Sequence, residues 1–449
     1  MVTIKKHNDK AAFLLYLILP VVLLFNNCID TESLEESLGI KKKKPDKNSE
    51  LTLLYGLWQR SGTDDGQGNA TFPDDVMAPW EGGSSYYAEW NHGPSSDPNF
   101  FPVAVWLQSP NNADAYKAIG INTFVGLWKG PTPDQLSQLV DDQMPVFCDQ
   151  NDTGLNNDNN TIIKGWTHLD EPDNAQSAPG GGWGDPVLPS EIVSRYLDMV
   201  ENDPTRPVFL NFGQGVAWDG WYGRGDRTGF PEDYAEYSEG ADIVSFDIYP
   251  VNSDHTDVSG KLWLVAFGVD RLREWCDYSK AVWNWIECTW IDADSGRKPT
   301  PREVKAEVWM SLIHGSMGIG YFAHCINPFD EPGLLHDAEM KNAVSAINRQ
   351  IAELALVLNS PTVANGAAVT SSNPTVPVDF MLKRLGDYTY LFAVSMRSGA
   401  TNAVFTLRSF PPQATAEALG ENRTLNISNG VLNDSFSDFS VHLYRIGFQ

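Results

Sequence analysis

Basic residues are scarce in this chain: 32 Lys and Arg stand against 58 Asp and Glu, for a formal charge of −26. Residues 1–50 hold eight of the bases and seven of the acids, so the rest carries 24 bases against 51 acids. A body that acidic offers no complement to a phosphate backbone, which excludes nucleic acid as a partner. Anionic lipids and strongly acidic polymers are repelled for the same reason. Neutral substrates remain. Cysteine is also scarce, with five in 449 residues. Cys148, Cys276, Cys288 and Cys325 lie far apart with no C-x-x-C, so no zinc site is expected, and no other cofactor. Two disulfides and buried free thiols both fit that spacing. Tryptophan is missing from the C-terminal 140 residues, all fifteen falling at or before Trp309. A tail without Trp makes a poor stacking surface for carbohydrate and reads as structural. A Gly-rich first β-to-α turn is lacking too, which counts against a doubly wound nucleotide-binding sheet.

Long apolar runs are limited to one, Ala11–Phe25, of 15 residues behind Lys5, Lys6 and Lys10. A basic start and a core too short for a comfortable membrane span form a signal-peptide layout, residues 1–30. Cys28 just after it suggests a lipoprotein signal; an uncleaved anchor is the alternative. Membrane attachment is expected through this N-terminus only, with the rest exported to the periplasm, the cell surface or the medium. Residues 31–50 carry a four-lysine run and a proline and read as a polar linker. Residues 51–100 are an irregular extension rich in Gly, Asp, Trp and Tyr.

What the chain does have is 42% hydrophobic and 11% aromatic residues, enough for a substantial core. From Phe101, strand-length apolar runs alternate with helical stretches. Strands are predicted at 103–108, 123–127, 145–149, 163–170, 208–212, 243–249, 281–287 and 318–324. Helices are predicted at 112–119, 133–142, 189–201, 262–276, 301–316 and 337–358. Prolines at first-turn positions 133, 189 and 301 mark three helix starts. Eight strands with interleaved helices over 101–360 fit a (β/α)8 TIM barrel. Short alternating strands over 361–449 predict a small C-terminal antiparallel β-sandwich.

In such a barrel, reacting groups project from the C-terminal strand ends. Strand four ends in His168-Leu169-Asp170-Glu171-Pro172-Asp173. Strand seven runs Trp283-Asn284-Trp285-Ile286-Glu287, and alternation puts Glu287 on the same face as both tryptophans. Two carboxylates placed so suit glycoside hydrolysis, with Glu171 giving a proton to the leaving oxygen and Glu287 attacking the anomeric carbon. Gln108, Trp128, Asn211, Asp247 and His324 are further strand-end candidates for sugar contacts, as is Trp285.

With those residues in view, the region 100–360 resembles the retaining glycoside hydrolases of clan A, the 4/7 superfamily. That family ends strand four in Asn-Glu, often followed by Pro, and ends strand seven in Glu. The resemblance implies Glu171 as acid/base, Glu287 as nucleophile and Tyr249 as the tyrosine that holds the nucleophile. It implies an oligo- or polysaccharide substrate, neutral and β-linked. Asp170 departs from the family's Asn, which opens a second route. An adjacent Asp-Glu pair resembles hexosaminidases that use substrate assistance, in which Asp170 would orient a 2-acetamido group. A carbohydrate-binding surface protein without activity is the third possibility.

Overall fold

The computed structural model describes residues 74–80, 82–178 and 181–447. The expected signal with Cys28, the polar linker and residues 51–73 of the extension lie outside the described residues. Eight parallel strands close into a barrel in sequence order: β1 (Val103–Trp106), β2 (Thr123–Val125), β3 (Val146–Asp149), β4 (Ile163–Thr167), β5 (Val208–Phe212), β6 (Ile243–Asp247), β7 (Ala281–Glu287) and β8 (Gly318–Phe322). The ring closes where Ala104 of β1 lies opposite Gly320 of β8. An open doubly wound sheet has no such pair.

Several strands end two or three residues before the apolar run does. Gln108, Leu127, His168 and Ile248 are buried although they follow their strands. Hydrophobicity reports burial, whereas a strand also needs a backbone neighbour, and the chain diverges from its neighbours at the barrel mouth before it reaches solvent. The surrounding helices are α1 (Ala113–Lys117), α2 (Pro133–Asp141), α3 (Asp152–Asn156), α4 (Pro189–Asn202), α5 (Asp233–Glu239), α6 (Leu264–Trp275), α7 (Pro301–Ile313), α8 (Gly333–His336), α9 (Ala338–Glu353) and α10 (Ala355–Leu358). Thr132 and Thr300 close capping boxes on α2 and α7, each exchanging bonds with the Gln or Glu three residues on. The stretch predicted as one helix over 337–358 is two, broken at Leu354 (φ −103°, ψ 5°). Helices α3, α5 and α8 are too short to show a periodic signal, and the sequence does not announce them.

Large rings fill the barrel because glycines make room for them. Phe147, Phe209, Trp283 and Trp285 pack inside at centroid distances of 5.4–6.3 Å. A Cβ added at Gly165 would lie 2.1 Å from the Phe147 ring, at Gly318 2.5 Å from Trp283, and at Gly320 2.2 Å from Trp285. The described part of the extension plugs the N-terminal end: the Tyr87 hydroxyl accepts from Trp283 Nε1 at 3.0 Å, and the Tyr86 hydroxyl donates to Asp242 O at 2.6 Å.

The C-terminal strands are β9 (Ala367–Ser371), β10 (Val378–Leu385), β11 (Tyr388–Ser395), β12 (Thr401–Leu407), β13 (Gln413–Ala418), β14 (Arg423–Ser428), β15 (Val431–Phe436) and β16 (Val441–Gly447), all antiparallel. They form one ladder in the order β10-β11-β16-β13-β14-β15-β12-β9. Between β14 and β15 only Ser428 and Val431 pair, so the ladder bends there and encloses a core of Leu391, Phe405, Ile427 and Tyr444. Its other side joins the barrel core, with Phe392 edge-on to Trp309 of α7 at 5.2 Å. The four described cysteines are free, and Cys148, Cys276 and Cys288 are buried.

Candidate active site

Period-two alternation builds the site from the barrel interior outward. On β5, Phe209 points inward and Asn211 stands above it; on β6, Ile243, Ser245 and Asp247 follow one face. Trp285 Nε1 donates to Ser245 Oγ (3.1 Å), and Ser245 Oγ donates to Asn211 Oδ1 (2.8 Å). With its oxygen so occupied, Asn211 turns its Nδ2 to two carboxylates, Asp170 Oδ1 and Asp247 Oδ2, each at 3.1 Å. Trp285, expected at the mouth, is instead buried beneath it and fixes this relay from below.

Glu171 sits at the end of β4 with φ +43°, a left-handed backbone that non-glycine residues rarely adopt. Its N–H donates to Asn211 O (3.1 Å), and its carbonyl accepts from Asn174 N (3.0 Å) and from Gln176 Nε2 (3.1 Å). Such a conformation costs of order 1–3 kcal/mol and persists only when its surroundings hold it. It brings the Glu171 side chain to Asp247 as well as to Asn174, whose Nδ2 donates to Glu171 Oε2 at 2.8 Å. Asp173, on the same turn, is fully buried and fastens it, accepting from the Tyr234 hydroxyl (2.7 Å) and Gly213 N (3.1 Å).

Three carboxyls thus belong to one hydrogen-bonded group, Asp170 and Asp247 through Asn211 and Glu171 through Asp247, and their charges oppose one another. Burial, and then the Asp247 and Asp170 charges, raise Glu171 well above the usual range, so it holds a proton and donates it to Asp247. Burial and the Asp170 charge push Asp247 up to about 7, while Asn211 and Glu171 as donors pull it back. Asp170 is raised to about 6, first by the surrounding protein. It is the exposed member and borders a groove of ≈ 610 Å³ that runs over the ends of β1 to β4. The arrangement supplies a neutral acid beside an anion at a concave mouth.

The structure does not bring Glu287 into this group. Its Oε1 accepts from Val251 N (2.6 Å), its Oε2 accepts from Asn252 N (2.8 Å) and Nδ2 (2.6 Å), and it has no exposed surface. The expectation that it shares the mouth with two aromatic rings is corrected. Glu287 is the last residue of β7, still paired with Phe322 of β8, and the loop leaving β6 folds over it there. Glu307 of α7 shares a hydrogen bond with it from behind. Tyr249 makes no bond to Glu287 among the described residues; it is half-buried and feels Asp247, Glu171, Asp170 and then Glu287.

Two other expected sugar contacts are also covered. Gln108 is fully buried, accepting from the Tyr116 hydroxyl (2.9 Å) and donating to Glu331 O (3.0 Å). His324 is buried with Nε2 donating to Leu107 O (3.1 Å). Trp128, 46% exposed, stands on the loop after β2, and Asn211 and Asp247 are in the cluster. Asn174 and the acidic pairing of Asp247 escaped the sequence reading. The alternation of Ser245 and Asp247 could have found the second; nothing local signals the first. Among the described residues no three His, Cys, Asp or Glu side chains converge to hold a metal ion.

No protein-family model matches the chain, and no curated protein does. Solved structures similar to it include a putative alpha-galactosidase from Bacteroides fragilis, at 11% identity over 78% of this chain and 80% of that one, TM-score 0.45. A GH30 endoxylanase from Clostridium papyrosolvens matches at 11% identity over 84% and 98%, TM-score 0.45. A noncanonic maltogenic alpha-amylase from Thermotoga neapolitana matches at 10% identity over 78% and 99%, TM-score 0.46. Likenesses this distant assign neither a family nor an activity to this chain.

Proposed function

We propose that the protein is a glycoside hydrolase acting on a neutral, β-linked glycan, with Glu171 as proton donor and Asp247 as its ionised partner. One observation carries the reading: a carboxyl at the barrel mouth, hydrogen-bonded to Asp247 and beside Asp170, which burial and then those two charges hold protonated. At rest the Glu171 proton is donated to Asp247. A glycosidic oxygen placed there takes that proton as its bond to the anomeric carbon breaks, and Asp247 meets the positive charge left on the carbon. A pair close enough to share a hydrogen bond is nearer to the about 5–5.5 Å carboxyl separation of a retaining site than to the ~6.5–9.5 Å of an inverting one. Asp247 then forms a glycosyl ester, and Glu171, now a carboxylate, takes a proton from the water that hydrolyses it. Glu287, the nucleophile expected from the sequence, has both oxygens occupied by N–H donors, and this reading passes its role to Asp247.

Replacing the acid tests the proposal. Glu171→Gln is expected to lower kcat/KM by about 10²–10⁴ on glycosides with poor leaving groups and far less on dinitrophenyl glycosides, which depart unprotonated. The basic limb of the pH–rate profile should vanish with it. Equal losses on both substrate classes would contradict the assignment, and a wild type that turns over no glycoside would favour a binding protein instead.

A second reading draws on Asp170, the open carboxylate beside Glu171. If the substrate carries a 2-acetamido group, Asp170 orients it for internal attack, and Asp170→Asn should cripple 2-acetamido aryl glycosides specifically. Export rests on residues 1–30 alone; lipid labelling abolished by Cys28→Ala would support the lipoprotein form, and a full-length chain left in the cytoplasm would refute export.

A further inference from the structure

The acid cluster has an open feature on each side. Toward β1 to β4 lies the ≈ 610 Å³ groove, within the range of ligand clefts, with Trp106 and Leu127 among its walls and Asp170 at its edge. Toward β5 and β6 lies a shelf of rings: Trp218, Trp221 and Tyr222 from the loop after β5 and His255 from the loop after β6. Their centroids are close, at 5.6 Å for Trp218–Trp221, 4.7 Å for Trp221–Tyr222 and 4.5 Å for Trp218–His255. Tyr222 is 68% exposed, a large aromatic surface left to solvent. The shelf is tied to the acid: Trp221 Nε1 donates to Asn174 Oδ1 at 2.8 Å, and the same amide donates to Glu171. Because strand order puts β4 between the groove and the shelf, Glu171 stands between two places that could each hold part of a ligand.

We infer that the shelf is a sugar-binding subsite and that the enzyme cuts within a chain, one part in the groove and the other stacked on Tyr222. This rests on the glycosidase reading above and adds the substrate's form to it. The apolar C–H faces of sugar rings pack on aromatic rings, and a hydroxyl or indole N–H at the ring edge finds a partner on the same ligand. A substrate held on one side only would need no exposed rings on the other. A neutral chain is also what the acidic body accepts.

The test uses the full chain with xylan, mixed-linkage glucan and galactomannan, their two- to six-unit oligosaccharides, and the matching aryl monoglycosides. Wild type is expected to release mixed intermediate oligosaccharides early, with kcat/KM rising with chain length. Tyr222→Ala should lower kcat/KM about tenfold on the longest substrates and by a much smaller factor on the aryl monoglycosides, so that the loss grows with chain length. Release of single sugars only, with Tyr222→Ala equal to wild type at every length, would overturn the inference while leaving the glycosidase reading intact. No turnover of any glycoside, or full activity in Glu171→Gln, would remove that reading and the inference with it.

Discussion

Glu287 and Glu307 are two carboxyls buried against each other, and among the described residues neither oxygen of Glu307 has an N–H or O–H donor beyond the proton the pair shares. Burial raises both, Glu287 to about 7. Between about 4.5 and 7 the folded chain therefore keeps a proton that the unfolded chain has released. A group raised in this way lends its stability fully below its unfolded pKa and loses it as pH rises through the folded one, so stability falls across that window. Glu307→Gln supplies an amide donor to Glu287 and should flatten the fall, gaining on wild type as the pH goes from 5 to 8 in denaturant titrations. Parallel curves for the two proteins would contradict the shared proton. At this scale the sequence was legible where a motif and a strand end coincided: Asp170-Glu171-Pro172 marked a carboxyl that the barrel mouth places beside Asp247. It misled at Glu287, because strand alternation says nothing about a loop closing over the last residue. Asp247 was visible but read as a hydroxyl contact, since its carboxyl partner comes from a strand 76 residues earlier, and only closure of the barrel brings them together.

The β-strands were the most legible elements, since a parallel barrel buries both faces and writes continuous apolar runs. Their ends were less so, because apolar residues continue past the last ladder bond into the mouth, where the site is. What no periodic signal could give is the match between interior glycines and rings. Gly320 sits where a Cβ would enter the Trp285 ring at 2.2 Å, and Trp285 starts the relay to Asn211. Gly320→Ala should therefore cost about 3 kcal/mol, at the upper end of overpacking effects. It should also lower activity in the folded fraction by disturbing Asn211. Denaturant midpoints and rates measured together check both effects; an unchanged midpoint would mean that the interior is looser than described.

Over the whole described body, barrel and sheet share one core through α7, where Trp309 meets Phe392. Phe392→Ala should cost about 3–5 kcal/mol and keep a single unfolding transition. Two separated transitions, with the barrel's unmoved, would show that the sheet is an independent module. The absence of tryptophan after Trp309 made that structural role readable; which helix it packs on was not, because the contact lies far apart in sequence. On the proposed reading, the barrel brings β4, β5 and β6 together so that one acid stays protonated beside two others. The most direct measurement of that claim compares Asp247→Asn with Glu287→Gln, both confirmed folded, on one activated aryl glycoside. Asp247→Asn is expected to lower kcat/KM by about 10³ or more, on the scale of a lost covalent or charge-stabilising group, and Glu287→Gln by no more than about tenfold. The reverse order, with Glu287→Gln inactive and Asp247→Asn near normal, would contradict the account.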